Sequence, residues 1–223
     1  MKTLWLEARA NKTFLIAENA LKELPKELAL FTTVQYMDSF EPIKAQLEKA
    51  GIKVHVIDGK HTKYSGQILG CETIKSDVPA FLYVGDGLFH PQALMMQNEK
   101  PVFAYDPRSE RLVIIDEKDI EKTKKKIKGA ILKFLTADEI GVIITTKPGQ
   151  NRKKDAEKLK ELIEAKGKTC YFFLCDNVDF SQLENFPFVE VWVNTACPRI
   201  AIDEYEKFNK PVINIDDVLE LDL

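Results

Sequence analysis

No stretch of these 223 residues is apolar for long enough to span a bilayer. The first residues, Met1-Lys2-Thr3-Leu4-Trp5-Leu6-Glu7, meet a charge too soon for a signal peptide. A cytoplasmic protein with no membrane partner is therefore expected. Excess positive charge is also lacking: the net charge is −3, so there is no direct signal for nucleic acid. The local run Lys122, Lys124, Lys125, Lys126 and Lys128 reads as a solvated helix face. Cysteine is sparse, at 4 residues, and no two form a Cys-x-x-Cys pair. That argues against a local zinc or ferredoxin-type site. In a reducing compartment such residues stand as thiols or metal ligands rather than disulfides. Histidine is rarer still, at 3 residues. No Ser-His-Asp or Cys-His pairing is arranged by the sequence, and no Walker or Rossmann glycine fingerprint is present.

What the chain does contain is an internal echo. Strand Leu28–Val34 passes through Thr32-Thr33, helix Phe40–Ala50 ends at Gly51, strands follow over 53–57 and 80–84, and Lys100-Pro101 opens another. The same order returns with strand Gly141–Thr145, helix Lys153–Lys166 before Gly167, strands over 170–174 and 189–193, and Lys210-Pro211. The offsets agree: 145 − 32 = 113, 167 − 51 = 116 and 210 − 100 = 110. A steady offset points to a duplicated βαβ-type unit. The expected fold is α/β, with two similar domains over 1–118 and 119–223. Each is a small parallel sheet flanked by helices. Further elements are expected as a strand over Leu4–Ala8, a helix over Phe14–Leu24 stopped by Pro25, and an edge strand over Leu112–Ile115. A helix over His90–Gln97 and a linking helix over Asp119–Leu135 complete the reading.

Ligands of open parallel sheets sit beyond the carboxyl ends of the strands. Gly85-Asp86-Gly87, the loop Thr145–Arg152 and the segment Asn194–Arg199 fall there. Of the cysteines, Cys170 lies in an apolar run and reads as a buried, inert thiol. Cys175 ends its strand at the ligand-binding edge and is kept as a candidate ligand. Cys71 follows Gly70 at an expected loop-to-helix junction, where a helix dipole favours a thiolate. Cys197 follows a strand and precedes Pro198. A metal held by Cys71 and Cys197 would draw on thiols distant along the chain. His55 and His61 read as structural or solvated, whereas His90 follows Gly-Asp-Gly at a helix start and is placed to touch a ligand.

Three segments are specific: Gly66-Gln67-Ile68-Leu69-Gly70-Cys71, Gly85-Asp86-Gly87-Leu88-Phe89-His90 and Ala196-Cys197-Pro198-Arg199. With Leu30–Gln35, Ala104-Tyr105-Asp106-Pro107 and Lys147-Pro148-Gly149-Gln150, they follow one order. In that order the chain resembles the diphthamide synthases of the Dph1/Dph2 type, in their archaeal form. The resemblance implies three α/β domains around a central site, each giving one cysteine to a [4Fe-4S] cluster that also binds S-adenosylmethionine. It implies transferase chemistry in which a 3-amino-3-carboxypropyl radical is added to a histidine of elongation factor 2. Cys71 and Cys197 match two of the family cysteines, and the first domain with its cysteine is expected to be missing, residues 1–25 matching its end. Gln67, Gly85, Asp86, His90, Gly149, Gln150 and Arg199 are implied to lie near the cofactors. A homo-oligomer, a dimer with two cysteines from each subunit, is one way to complete the cluster. The alternatives are a non-catalytic partner or scaffold of a complete family enzyme, and an unrelated cluster-dependent reaction.

Overall fold

The structure, a computed structural model, describes residues 4, 6–70 and 74–221. It divides into two compact units, Met1–Glu121 and Lys122–Leu223. The first runs α1 (Glu18–Glu23), β1 (Glu27–Thr32), a 3₁₀ turn (Val34–Ser39), α2 (Phe40–Lys49), β2 (Lys53–His55), β3 (Phe81–Val84), α3 (Phe89–Asn98), β4 (Val102–Asp106) and β5 (Arg111–Ile115). Its sheet has the order β2-β1-β3-β4-β5 and is parallel except for the antiparallel edge strand β5. The near-continuous apolar sequence of β1 follows from burial on both faces. Leu28 and Leu30 meet Ile43 and Leu47 of α2, while Ala29 and Phe31 join Leu94 and Met95 of α3.

The helix α4 (Glu117–Thr136) leads to β6 (Glu139–Thr145), α5 (Lys153–Ala165), β7 (Thr169–Cys175), α6 (Phe180–Leu183), β8 (Val191–Asn194), α7 (Pro198–Asp203), β9 (Val212–Asn214) and α8 (Ile215–Leu219). The second sheet is wholly parallel with the order β7-β6-β8-β9. Ile140, Val142 and Ile144 of β6 pack with Ala156, Leu159 and Ile163 of α5. Ile143 and Trp192 take the other face with Leu183 and Phe208. Strand for strand, β7-β6-β8-β9 repeats β2-β1-β3-β4. Strand starts are displaced by 139 − 27 = 112, 191 − 81 = 110 and 212 − 102 = 110 residues. The duplication expected from the sequence is thus a repeat of topology.

Three expectations differ. No strand forms over residues 4 and 6–8. The helix expected over Phe14–Leu24 starts only at Glu18, because side chains from elsewhere claim the preceding amides. Phe14 N donates to Ser39 Oγ, Ile16 N to Gln46 Oε1 and Ala17 N to the Tyr105 hydroxyl. No helix covers residues 74–79 either. There Ile74 N donates to Gln97 Oε1 and Ser76 N to Asn98 Oδ1, so these amides are taken by side chains of α3 instead of a helix of their own. Among the described residues no helix is long and apolar enough to cross a membrane.

Candidate functional site

In the second unit the chain crosses from β6 to β7 on one side and from β8 to β9 on the other. The reversal opens a crevice between the carboxyl ends of β6 and β8. A cavity of about 200 Å³ lies there, lined by Thr145, Lys147, Gln150, Asp176, Ala196 and Ile200 among others. Lys147-Pro148-Gly149-Gln150 is a tight turn closed by Gln150 N donating to Lys147 O at 3.1 Å. Gly149 sits at φ 80°, and proline followed by a positive-φ glycine is the type II turn pattern. The turn brings Gln150 to the cavity.

Cys197 is the N-cap of α7, with Pro198 at the first helical position. Its placement depends on Asn194, which opens the segment singled out in the sequence, and on Asn214, which the sequence reading passed over. Asn194 ends β8 and Asn214 ends β9, opposite each other in register. Asn194 Nδ2 donates to Cys197 O at 2.9 Å and to Asn214 Oδ1 at 2.8 Å, and its Oδ1 accepts from Ala196 N. Asn214 Nδ2 donates to Pro198 O at 3.1 Å. Both amides are buried, so each satisfied donor and acceptor fixes the segment beneath Cys197. The signal was present as an Asn closing each of two Val-rich strands. Arg199 is buried, and its Nε donates to Asp203 Oδ2 at 2.8 Å within the same helix.

The remaining cysteines separate by environment. Cys170 lies among aliphatic side chains, and burial pushes its thiol up to about 11. Cys175 is half-buried at the end of β7, and burial raises its thiol as well. Cys197 is half-buried too and, like the other two, in no disulfide. Cys71 lies outside the described residues. Gly70 beside it packs on α3: a Cβ there would sit 1.8 Å from the Phe89 ring. The two matched cysteines are not equivalent in the repeat. Cys197 follows β8, the counterpart of β3, whereas residue 71 falls between β2 and β3, and 197 − 71 = 126 exceeds the strand offsets. Among the described residues no group of three or more His, Cys, Asp or Glu side chains is placed to hold a metal ion.

At the carboxyl edge of the first sheet, the Tyr36 hydroxyl donates to Asp86 Oδ1, and Gln35 Nε2 reaches Oδ2 at 3.5 Å. Burial and the Asp86 carboxylate push the Tyr36 phenol up to about 12. His90 stacks on Tyr83, with ring centroids 5.4 Å apart, and its Nδ1 lies 3.3 Å from the Tyr83 hydroxyl. That hydroxyl explains Gly85, where a Cβ would approach it to 2.5 Å. Burial raises the Tyr83 phenol too. Gln67 pairs with the end of β1 at Thr32. Its Oε1 accepts from Lys63 N and Tyr64 N, so this oxygen braces its own loop. Asp86, His90 and Gln67 thus share one sheet edge, and Gln150 and the backbone of Cys197 share the other unit's edge.

The family model of diphthamide synthesis proteins matches residues 2–219. The 2-(3-amino-3-carboxypropyl)histidine synthase of Pyrococcus horikoshii is 32% identical over 95% of this chain and 62% of its own length. The human synthase subunit 1 is 31% identical over 94% of this chain and 48% of its own. A crystal structure of Dph2 from P. horikoshii with a 4Fe-4S cluster superposes with a TM-score of 0.78 at 30% identity. It covers 90% of this chain and 58% of that one. The chain thus spans between 42% and 62% of the length of the curated relatives it matches. With a family match that runs from residue 2 to residue 219 and the same fold behind it, the chain belongs to the diphthamide synthesis protein family.

Proposed function

We propose that this chain carries part of an iron–sulfur transferase of the diphthamide type. The reaction moves the 3-amino-3-carboxypropyl group of S-adenosylmethionine to a histidine of a protein acceptor, elongation factor 2. One observation supports this most strongly: the family match covers nearly the whole chain, with Ala-Cys-Pro-Arg at the carboxyl edge of β8. The thiols differ in fitness for iron. A cluster takes deprotonated sulfur, which burial disfavours at Cys170 and Cys175. Cys197, as partly buried as Cys175, differs in standing at the start of α7 on a backbone clamped by two buried amides, and suits that role. Cys197 and Cys71 would hold a [4Fe-4S] cluster, with any further thiol from another chain or segment. When bound, the cluster supplies the electron that cuts a carbon–sulfur bond of S-adenosylmethionine.

The protein's own residues position the reactants. Thr145, Lys147 and Gln150 line a crevice together with the carboxylates of Asp176 and Glu204, a mixed polar lining able to face both ends of an amino-acid group, and Gly149 sets the turn that carries Gln150. Arg199 holds α7 through Asp203 and keeps Cys197 at its start. Asp86, fixed by Tyr36, keeps the Gly85–Gly87 turn beside His90, which the Tyr83 hydroxyl orients. The reducing cytoplasm would keep these thiols available.

The test is anaerobic reconstitution with iron and sulfide, reading visible absorption and iron per chain. Colour is expected in the wild type and in Cys170→Ala, and is lost in Cys71→Ala and in Cys197→Ala. Dithionite with S-adenosylmethionine, followed by mass spectrometry, then identifies the bond cut. Colour that survives both ligand substitutions overturns the reading. Colourless protein that co-purifies with a larger homologue replaces it with the scaffold role.

A further inference from the structure

Before Phe14 the chain runs as a strap with neither helix nor strand, and no residue from 6 to 13 is buried. Hydrophobic burial does not hold this strap down; charge does. Glu7 is its hub. Oε1 of Glu7 accepts from Lys63 Nζ at 2.7 Å and from the Tyr64 hydroxyl at 3.0 Å, and Oε2 accepts from Arg9 Nη2 at 2.8 Å. Arg9 turns Nη1 to Asp38 and lies over the Tyr64 ring at 4.9 Å. Ala10 N then donates to Gln35 O at 2.7 Å. The Lys63 ammonium, then Arg9 and Tyr64, hold the Glu7 carboxyl down to about 2, so the hub stays ionised at neutral pH.

The two ends of the strap reach different groups at the carboxyl edge of the first sheet. At one end, Lys63 and Tyr64 give their backbone N–H groups to Gln67 Oε1. At the other, Gln35 and Asp38 belong to the 3₁₀ turn, from which Gln35 and Tyr36 hold Asp86. Between these ends Thr32, the last residue of β1, pairs with Gln67 and donates through Oγ1 to Val84 O at 2.7 Å. Gln67 and Asp86 are thus fixed from within by β1 and β3, and from outside by the strap.

We propose that Glu7 and Arg9 are positioning residues, a charged latch that sets how Gln67 and Asp86 stand to one another. Exposed ion pairs are weak and screened by salt, and a segment with few buried contacts opens locally at little cost. Ionic strength therefore releases this latch while the cores of the first unit stay closed. Its effect on S-adenosylmethionine rests on the transferase reading; its hold on the two loops does not.

The test uses the full chain and hydrogen exchange read by mass spectrometry. Glu7→Gln keeps the side chain's size and removes its charge. It is expected to speed exchange over residues 63–67 and 34–39 about threefold, the scale of an exposed ion pair, with the unfolding midpoint unchanged. Glu7→Asp, which keeps the charge, recovers part of the protection. Asp38→Asn speeds residues 34–39 alone, and Lys63→Met residues 63–67 alone. Salt at about 1 M reproduces the Glu7→Gln pattern in the wild type and adds little in the variant. After reconstitution with iron and sulfide, Glu7→Gln is expected to bind S-adenosylmethionine about threefold more weakly than the wild type. Exchange unchanged in both segments, or accelerated through β1 and β3 as well, overturns the proposal. So does equal S-adenosylmethionine binding by the two proteins. No binding even by the wild type overturns the transferase reading instead, and the exchange rates still decide whether the latch exists.

Discussion

At the scale of single residues, the feature with most consequence is the amide pair Asn194–Asn214. Asn194→Ala removes two donated hydrogen bonds and one accepted bond from a site that is 1% exposed. It leaves Asn214 Oδ1 and the Cys197 carbonyl without that donor. An unsatisfied buried group costs about 1–3 kcal/mol, so denaturant unfolding should shift by that amount. Alkylation of Cys197 should also change rate, because its backbone is no longer pinned, while Cys170 stays protected by its apolar surroundings. A shift in stability with no change at Cys197 would limit the pair to a packing role. Glu190 offers a separate test. The Lys133 ammonium at 2.6 Å, then the N–H groups of Asp138 and Glu139, hold its carboxyl down to about 2, against 4.5 ordinarily. A lowered value means the stabilisation is complete above pH 4.5 and is lost as pH falls through about 2. The pair is about one third exposed, so solvent screens it and its worth is about 1 kcal/mol or less. Glu190→Gln should flatten the acid limb of a stability–pH profile in that interval and leave the limb above pH 7 unchanged.

Elements show what the sequence made legible and what it hid. β1, β3, β4 and β6 were readable because strands buried on two faces become unbroken apolar runs, and β7, at a sheet edge and only partly buried, because its residues carry no charge. α2 and α5 were readable from Ile43 and Leu47, and from Ala156, Leu159 and Ile163, at helical spacing. The misreadings share one cause. Residues 14–17 and 74–79 look helical or helix-flanked locally, yet Ser39, Gln46, Tyr105, Gln97 and Asn98 take their amides from a distance. No local pattern records a partner 22 to 88 residues away. Of the candidate site, the loops could be read but the groups bracing them could not. Asp86 stood out as part of Gly-Asp-Gly, whereas Tyr36, which holds it, sits unmarked in a 3₁₀ turn. Gly141 is the converse case, a glycine inside a central strand with no turn to explain it. A Cβ there would meet the Trp192 ring at 2.4 Å and Val189 at 2.9 Å. Gly141→Ala should therefore cost about 1–3 kcal/mol through overpacking, measured as a lower unfolding midpoint. Pairing it with Trp192→Phe, which vacates part of that space, should recover some of the loss. Equal, additive losses in the double variant would show that no clash exists.

Across the whole molecule, the same strand order occurs twice while the two matched cysteines occupy different places in it. The scaffold is therefore repeated in topology, while along the sequence the two cysteines fall at different crossovers of it. The packing is duplicated as well. Each buried cluster draws its residues from a single unit: those containing Leu28 and Ala29 lie within residues 16–120, and those containing Ile140 and Trp192 within residues 130–221. Stability should accordingly be local as well as global. Ile163→Ala removes a buried side chain from the face shared by α5 and β6, a change that costs about 2–5 kcal/mol. Hydrogen exchange should then accelerate at the amides of β6, β8 and β9. The amides of β1, β3 and β4 should keep their rates as long as the first unit's cores hold without help. A matching acceleration in β1 and β3 would instead mean that the two units unfold as one, and that the repeat, though visible in topology, has been merged into a single cooperative body.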